Sequence, residues 1–368
     1  MKRPSLVHFL SIKTNNFISI KASITYEQDK HNQGSELERL KPQMPIEAFK
    51  LLRSYEFDLK FVGLNSKQEQ VYVKCHESDQ FGNFNFKIPL TEETSQITAF
   101  LIFEIQSKPG LELLLGIFMP ITITSPIKLV ICDFDKTLVE TRYSSYKEVY
   151  NSLIRPLEYF PTIEKGVTLL KDYIEQGFHP FILSASPHFY EDAMRDWLYK
   201  KEIYTAGIFL KDYRQVFSIF KDGELRPKDI KMQGLYKLNH LLDILLMTGI
   251  PDELVLIGDN FEADPIIYLT LAKILQSGLD PRSIWKRMLK ESPFKISRKQ
   301  NFLLLNKIFQ LDSLISKHKN PSNIKVFIRK RQKNDQVILS DWYEDMRPLI
   351  ELFSEIKPLK KEESQTKD

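Results

Sequence analysis

The sequence predicts two units in one chain. An all-β, sandwich-like domain spans residues 1–125, and an α/β domain follows over 126–335, with a parallel sheet covered by helices on both faces. Three observations carry this. Up to about residue 125, apolar and polar residues alternate in short segments rich in β-branched and aromatic side chains. From about residue 126 the apolar residues instead come in short unbroken runs: IKLVICD, PFILS and LVLIGD. Between those runs lie stretches whose apolar residues recur at the 3.6-residue period of a helix.

In the first unit the segments LVHFLSIK, FISIKASITYE, SYEFDLKFVGL, EQVYVKCHE, FNFKIPL, QITAFLIFEIQ and LELLLGIFMPITIT read as strands. Phe57, Leu59 and Phe61 alternate with Glu56, Asp58 and Lys60, which puts one face inward and one toward water. Residues 28–50 are polar, carry two prolines and read as a long loop or short helix.

In the second unit helices are expected over YKEVYNSLIRPL, IEKGVTLLKDYIEQG and YKLNHLLDILLMTG. In the middle one, Val167, Leu169, Leu170, Tyr173 and Ile174 form one apolar stripe, and Gly177 suits its C-terminal cap. Two further strands are expected from Gly207 (GIFLKDY) and Ile324 (IKVFIR), with a helical insertion over about 280–323 between them. A C-terminal helix is expected over 336–357, capped by Ser340 and kinked or restarted near Pro348, then a disordered tail over 358–368.

A hydrophobic fraction of 42% with 27% charged residues excludes a mostly disordered chain, and 13 glycines exclude a collagen-like one. Cys75 and Cys132 are too few for a disulfide framework or a thiolate metal site. The N-terminal apolar run is too short for a signal peptide, and no run of about 18 apolar residues occurs. The expected location is the cytoplasm or the periphery of a membrane. The net charge of +4 hides a basic block: residues 282–333 carry 15 Lys and Arg against Glu291 and Asp312. Such a block either attracts an anionic partner or is simply a solvated face.

Polar groups end three apolar runs: Asp133 and Asp135, Ser184, and Asp259. In a parallel sheet these ends open on one edge, where ligands bind. Asp133 and Asp135 are two apart on an extended segment, so their side chains share a side. One of two such neighbouring carboxyls can hold a proton, while the other, ionised, can ligate Mg²⁺ or attack phosphorus. In GDNFEAD, Gly258 allows a tight turn, and Asp259 and Asp264 add two more carboxylates. A cation among them would relieve their repulsion and bind phosphate oxygens. Ser184, the backbone about Ala185, and Ser186 supply donors for those oxygens. Lys237, opening a helix, is the candidate positive charge.

DFDKT, LS, Lys237 and GDNFEAD, in this order, resemble the four motifs of the haloacid dehalogenase (HAD) superfamily of phosphotransferases. SASP, FLKD and GD followed by DP-x-IY are similar to the catalytic domain of the actin-patch phosphatidate phosphatase family, with Lys136 where that family usually has a second Asp. The resemblance implies a HAD-like, Rossmann-like parallel sheet. It also implies that Asp133 is the nucleophile, Asp135 the acid and base, and Lys237 the group that positions Asp133. Mg²⁺ would be held by Asp133, the Asp135 carbonyl and Asp259, with Asp264 as ligand or behind it; Ser184 would bind the phosphoryl group and Thr137 would steady the loop.

The gaps from Thr137 to the next strand and from Ser184 to Lys237 leave no room for a large lid. An open site suits a phosphate displayed on something large. Three readings stay open. The first is a phosphatase of phosphatidate or another lipid phosphate, helped onto an anionic membrane by the 282–333 block. The second is a phosphatase of a soluble phosphomonoester or a polynucleotide end. The third is a non-catalytic module binding a membrane or protein.

Overall fold

The computed structural model describes residues 2–28, 55–141, 157–211, 233–261, 263–294, 298–318, 320–330 and 336–354. The expected loop over 28–50, the expected helix over 146–157 and the tail over 358–368 lie, but for Gln28 and Leu157, outside the described residues.

The seven expected N-terminal segments form eight strands, because the last divides. These are β1 (Lys2–Lys13), β2 (Phe17–Gln28), β3 (Asp58–Leu64), β4 (Gln70–Glu77), β5 (Asn83–Pro89), β6 (Ala99–Glu104), β7 (Leu113–Phe118) and β8 (Ile121–Thr122). They make two four-stranded sheets, ordered β5-β2-β1-β8 and β4-β3-β6-β7. Ile18, Ile20 and Ile24 of β2 share one buried cluster with Leu59, Phe61, Phe100 and Ile102 of the other sheet.

The polar face of β2 does not meet water, as alternation had implied. Ser19, Ser23 and Thr25 are buried. The Ser19 hydroxyl donates to the Met247 carbonyl at 3.4 Å, and Lys21 Nζ lies 2.9 Å from Asp243. Leu10 and Ile12 of β1 belong to the core of the α/β part. Short hydroxyl side chains let this sheet lie close against a helix, so it is covered on both faces. Asp243 also meets Lys307 at 2.7 Å. Burial pushes its carboxyl up, but Lys21 and Lys307 outweigh that and hold it below the usual carboxylate range.

The second part is one six-stranded parallel sheet. Its strands are β9 (Lys128–Asp133), β10 (His179–Pro187), β11 (Gly207–Lys211), β12 (Glu253–Asp259), β13 (Asn323–Arg329) and β14 (Ile350–Phe353), in the order β11-β10-β9-β12-β13-β14. Around it lie α1 (Glu164–Glu175), α2 (Glu191–Lys200), α3 (Gln233–Thr248), α4 (Asp264–Gln276), α5 (Pro281–Met288) and α6 (Arg298–Ile315). Two separate apolar clusters flank the sheet, one holding Leu129, Ile131 and Leu256 and the other Val130, Cys132 and Ile257, as near-continuous apolar strands require. The 280–323 segment is the helix pair α5 and α6.

The expected C-terminal helix is corrected. Asp341–Leu349 forms a short 3₁₀ segment containing Pro348, and Ile350–Phe353 then pairs with β13 as the sheet's edge. Ser340 does not cap; its hydroxyl donates to Glu291 at 2.7 Å. Pro348 cannot continue a helical ladder, while β13 offers an otherwise unpaired backbone edge. Among the described residues no helix is long and apolar enough to cross a membrane.

Candidate active site

β9 and β12 are neighbours running in parallel, with Ile257 opposite Cys132, so Asp133 and Asp259 leave the sheet at the same edge. Both are buried, as is Asp264 at the start of α4. Carboxylate oxygens of Asp133, Asp259 and Asp264 lie within 4.8 Å of one another. Lys237, in the second turn of α3, reaches into this cluster. Its ammonium lies 2.8 Å from Asp133 Oδ1 and 2.6 Å from Asp264 Oδ1. Lys237 thus pairs with two of the three carboxylates in a site shielded from water, where charge is costly unless compensated.

Each acid is held in place by short-range bonds. Asp264 Oδ2 accepts from the Asp259 backbone N–H at 3.2 Å, and Asp259 Oδ1 accepts from Phe261 N–H at 2.5 Å. Thr137, fully buried, donates to Asp133 Oδ2 at 3.4 Å. Pro265 just inside α4 fits the first helical turn, which lacks a partner for its N–H in any case. Gly258 has a second duty beside the expected tight turn. A Cβ there would stand 2.5 Å from Asp264 Oδ2 and 2.7 Å from the Tyr268 ring, so only glycine lets Asp264 come this close.

Asp135 sits two residues along, buried, and accepts a 2.7 Å hydrogen bond from Ser184 Oγ. The Ser186 N–H in turn donates to Ser184 Oγ at 3.0 Å. In this arrangement the Ser184 proton is directed at Asp135, and Ala185 and Ser186, half-buried, follow at the rim. The structure therefore gathers the sequence-selected residues into two linked groups. Asp133, Lys237, Asp259, Asp264 and Thr137 form the inner one, and Asp135 with Ser184 and Ser186 the outer one.

Three supports were not singled out from the sequence. Arg329 ends β13 beside Asp259 and donates to the Lys136 carbonyl at 2.6 Å and to the Glu140 carboxylate. It ties down the loop in which Lys136 adopts a left-handed φ of 61°. Gly166, in the first turn of α1, lets that helix meet the Thr137 carbonyl, which a Cβ would approach to 2.2 Å. Lys211 ends β11 on the same edge, nearly buried, and burial lowers its ammonium to about 8. Arg329 and Lys211 each end an apolar run, the same signal that exposed Asp133 and Asp259. Beneath the site, burial first and then the Asp133 charge raise the Cys132 thiol well above its ordinary value, which makes it an inert wall.

No curated protein matches this chain. Among solved structures, one titled Pnkp1/Rnl/Hen1 complex is 20% identical and aligns over 37% of this chain and 40% of its own, with a TM-score of 0.27. A Bacteroides uniformis β-glucuronidase aligns over 88% of this chain and 33% of its own at 10% identity and a TM-score of 0.26. A Parabacteroides merdae β-glucuronidase gives 89%, 34%, 11% and 0.26 for the same quantities. The chain spans less than half the length of each. Residues 128–278, the segment that carries Asp133, Ser184, Lys237, Asp259 and Asp264, match the family model described as "Phosphatidate phosphatase APP1, catalytic domain", the family that the motifs resemble.

Proposed function

We propose that the chain is a Mg²⁺-dependent phosphatase of the HAD type that hydrolyses a phosphomonoester through an aspartyl-phosphate on Asp133, with phosphatidate or another lipid phosphate as substrate. The observation that carries this is the ion pairing of one strand-end aspartate, Asp133, to a buried lysine within a cluster of three buried carboxylates. The family match over 128–278 supports the phosphatase reading and its lipid substrate.

Lys237 fixes Asp133 Oδ1. Oδ2, steadied by Thr137, is the attacking oxygen. Its bond to phosphorus forms as the bond from phosphorus to the ester oxygen breaks. Asp135 gives its proton to the departing alkoxide, then takes one from the water that attacks the phosphoryl group, which releases phosphate and restores the Asp133 carboxylate. The Ser184 bond to Asp135 Oδ2 sets the plane of that carboxyl group, so the proton moves at Oδ1. Backbone about Ala185 and the Ser186 hydroxyl offer donors to the phosphoryl oxygens. Positioning and charge compensation make up most of the protein's contribution to such a reaction.

A buried cluster with oxygen donors only fits a hard divalent cation. Asp133, Asp259 and the Asp135 carbonyl would hold it. Asp264, whose two oxygens accept from Lys237 and from the Asp259 N–H, supports from behind. Bound there, Mg²⁺ would offset the negative charge of the phosphoryl oxygens. The test is hydrolysis of phosphatidate vesicles against a panel of sugar, nucleotide and polynucleotide phosphates, with Mg²⁺ or chelator and with Asp133→Asn as control. Turnover of phosphatidate above the panel, lost with chelator and in the variant, is the expected result. Turnover that survives Asp133→Asn would refute it.

A further inference from the structure

An exposed apolar and basic surface borders the mouth of the carboxylate site. Helix α4 starts at Asp264 on the active edge, and α5 follows it in the chain. Glu291, just past α5, accepts from Ser340 Oγ at 2.7 Å. Gln336, four residues before Ser340, accepts through its carbonyl from Asn260 Nδ2 at 3.3 Å, and Asn260 follows Asp259 directly. Four residues span at most about 14 Å, so the end of α5 lies on the side of the site. Here Ile338 is 87% exposed, beside a shallow cavity lined by Ala263 and Ile266. In the first half of α6, Phe302 and Leu303 are 78% and 59% exposed, although Leu304 and Ile308 of the same helix are buried. The Arg282 guanidinium lies 6.0 Å from the Phe309 ring centroid, which joins the outer faces of α5 and α6 into one surface. Lys286 in α5 and Lys290 just past it are exposed.

We infer that this face docks on an anionic lipid surface, with Phe302, Leu303 and Ile338 entering the headgroup region and Lys286 and Lys290 meeting lipid phosphates. The charge of the segment points to an anionic partner, with 15 Lys and Arg against two acids over 282–333. The aliphatic residues point to lipid over polynucleotide, because Leu303 and Ile338 neither stack on bases nor bond phosphate, whereas hydrocarbon accepts them. The inference deepens the phosphatase reading and rests on it for what docking serves; the docking itself is independent of catalysis.

The experiment is flotation of the full chain with phosphatidylcholine vesicles, with and without phosphatidylserine. Neither lipid carries a phosphomonoester, so the site has no substrate to hold. Flotation only with phosphatidylserine is expected. Lys286→Gln with Lys290→Gln should weaken it about twenty-five-fold. Phe302→Ser with Leu303→Ser should also release the chain, and both pairs should hydrolyse a soluble chromogenic ester as the wild type does. Absent flotation, variants that float unchanged, or retention on an oligonucleotide without flotation would each overturn the inference. A chain that floats as described and hydrolyses no ester would sink the phosphatase reading and leave this one standing.

Discussion

Lys237→Met removes an ammonium that the structure places between Asp133 and Asp264, at 2.8 and 2.6 Å, with all three side chains buried. Methionine keeps much of the volume, so the change is chiefly one of charge. Removing one partner of a buried ion pair costs about 3–5 kcal/mol, because the remaining charge stays out of water without its counterion. Equilibrium urea denaturation in the presence of chelator measures this directly. The second arm is Lys237→Met combined with Asp264→Asn, which removes one of the stranded charges. The double variant should be less destabilised than the sum of the single changes by about 1–3 kcal/mol. Activity should fall about a hundredfold or more in Lys237→Met, because the nucleophile loses its positioning. A Lys237→Met protein with wild-type stability in chelator, or single changes that simply add, would refute the reasoning.

Gly258→Ala puts a methyl group 2.5 Å from Asp264 Oδ2; it should cost about 1–3 kcal/mol in urea denaturation and lower turnover, and an unaffected enzyme would contradict the close-approach argument. Ser184→Ala removes the donor to Asp135; it should lower kcat by about a hundredfold with a smaller change in KM, and a change in KM alone would return Ser184 to simple substrate binding. His240 is half-buried with its Nδ1 out of contact with water, and desolvation first, then Lys21, push its imidazole well below the ordinary value. Its folded value lies below its unfolded one, so this stabilisation is complete above about pH 6.5 and is lost as pH falls below that. Unfolding free energy should therefore drop from pH 7.5 to 5.5, and His240→Phe should flatten that slope; an unchanged slope would assign it elsewhere.

Much of the α/β part was legible because its strands are unbroken apolar runs, and a polar residue closing such a run is conspicuous. Asp133, Ser184 and Asp259 were found in that way. Arg329 and Lys211 carried the same mark and were passed over, since a cation at a strand end also reads as solvation. Gly166 and the second duty of Gly258 could not be read, because they concern which backbone comes close in space. β14 is only four residues, and IELF continues the apolar pattern expected of a helix; its pairing depends on an open edge that only the assembled sheet possesses. The polar face of β2 misled for a related reason. Alternation marks two different faces, but whether the polar one meets water or the small, hydrogen-bonded surface of a neighbouring helix is decided by packing.

The central claim is that Asp133 takes up a phosphoryl group. Acid-quenching the enzyme during turnover of a phosphomonoester and mapping its peptides by mass spectrometry tests that most directly. The expected result is a phosphoryl group on the peptide containing Asp133, lost on treatment with base and missing from Asp133→Asn. Steady turnover with the phosphoryl group on a different residue would contradict it.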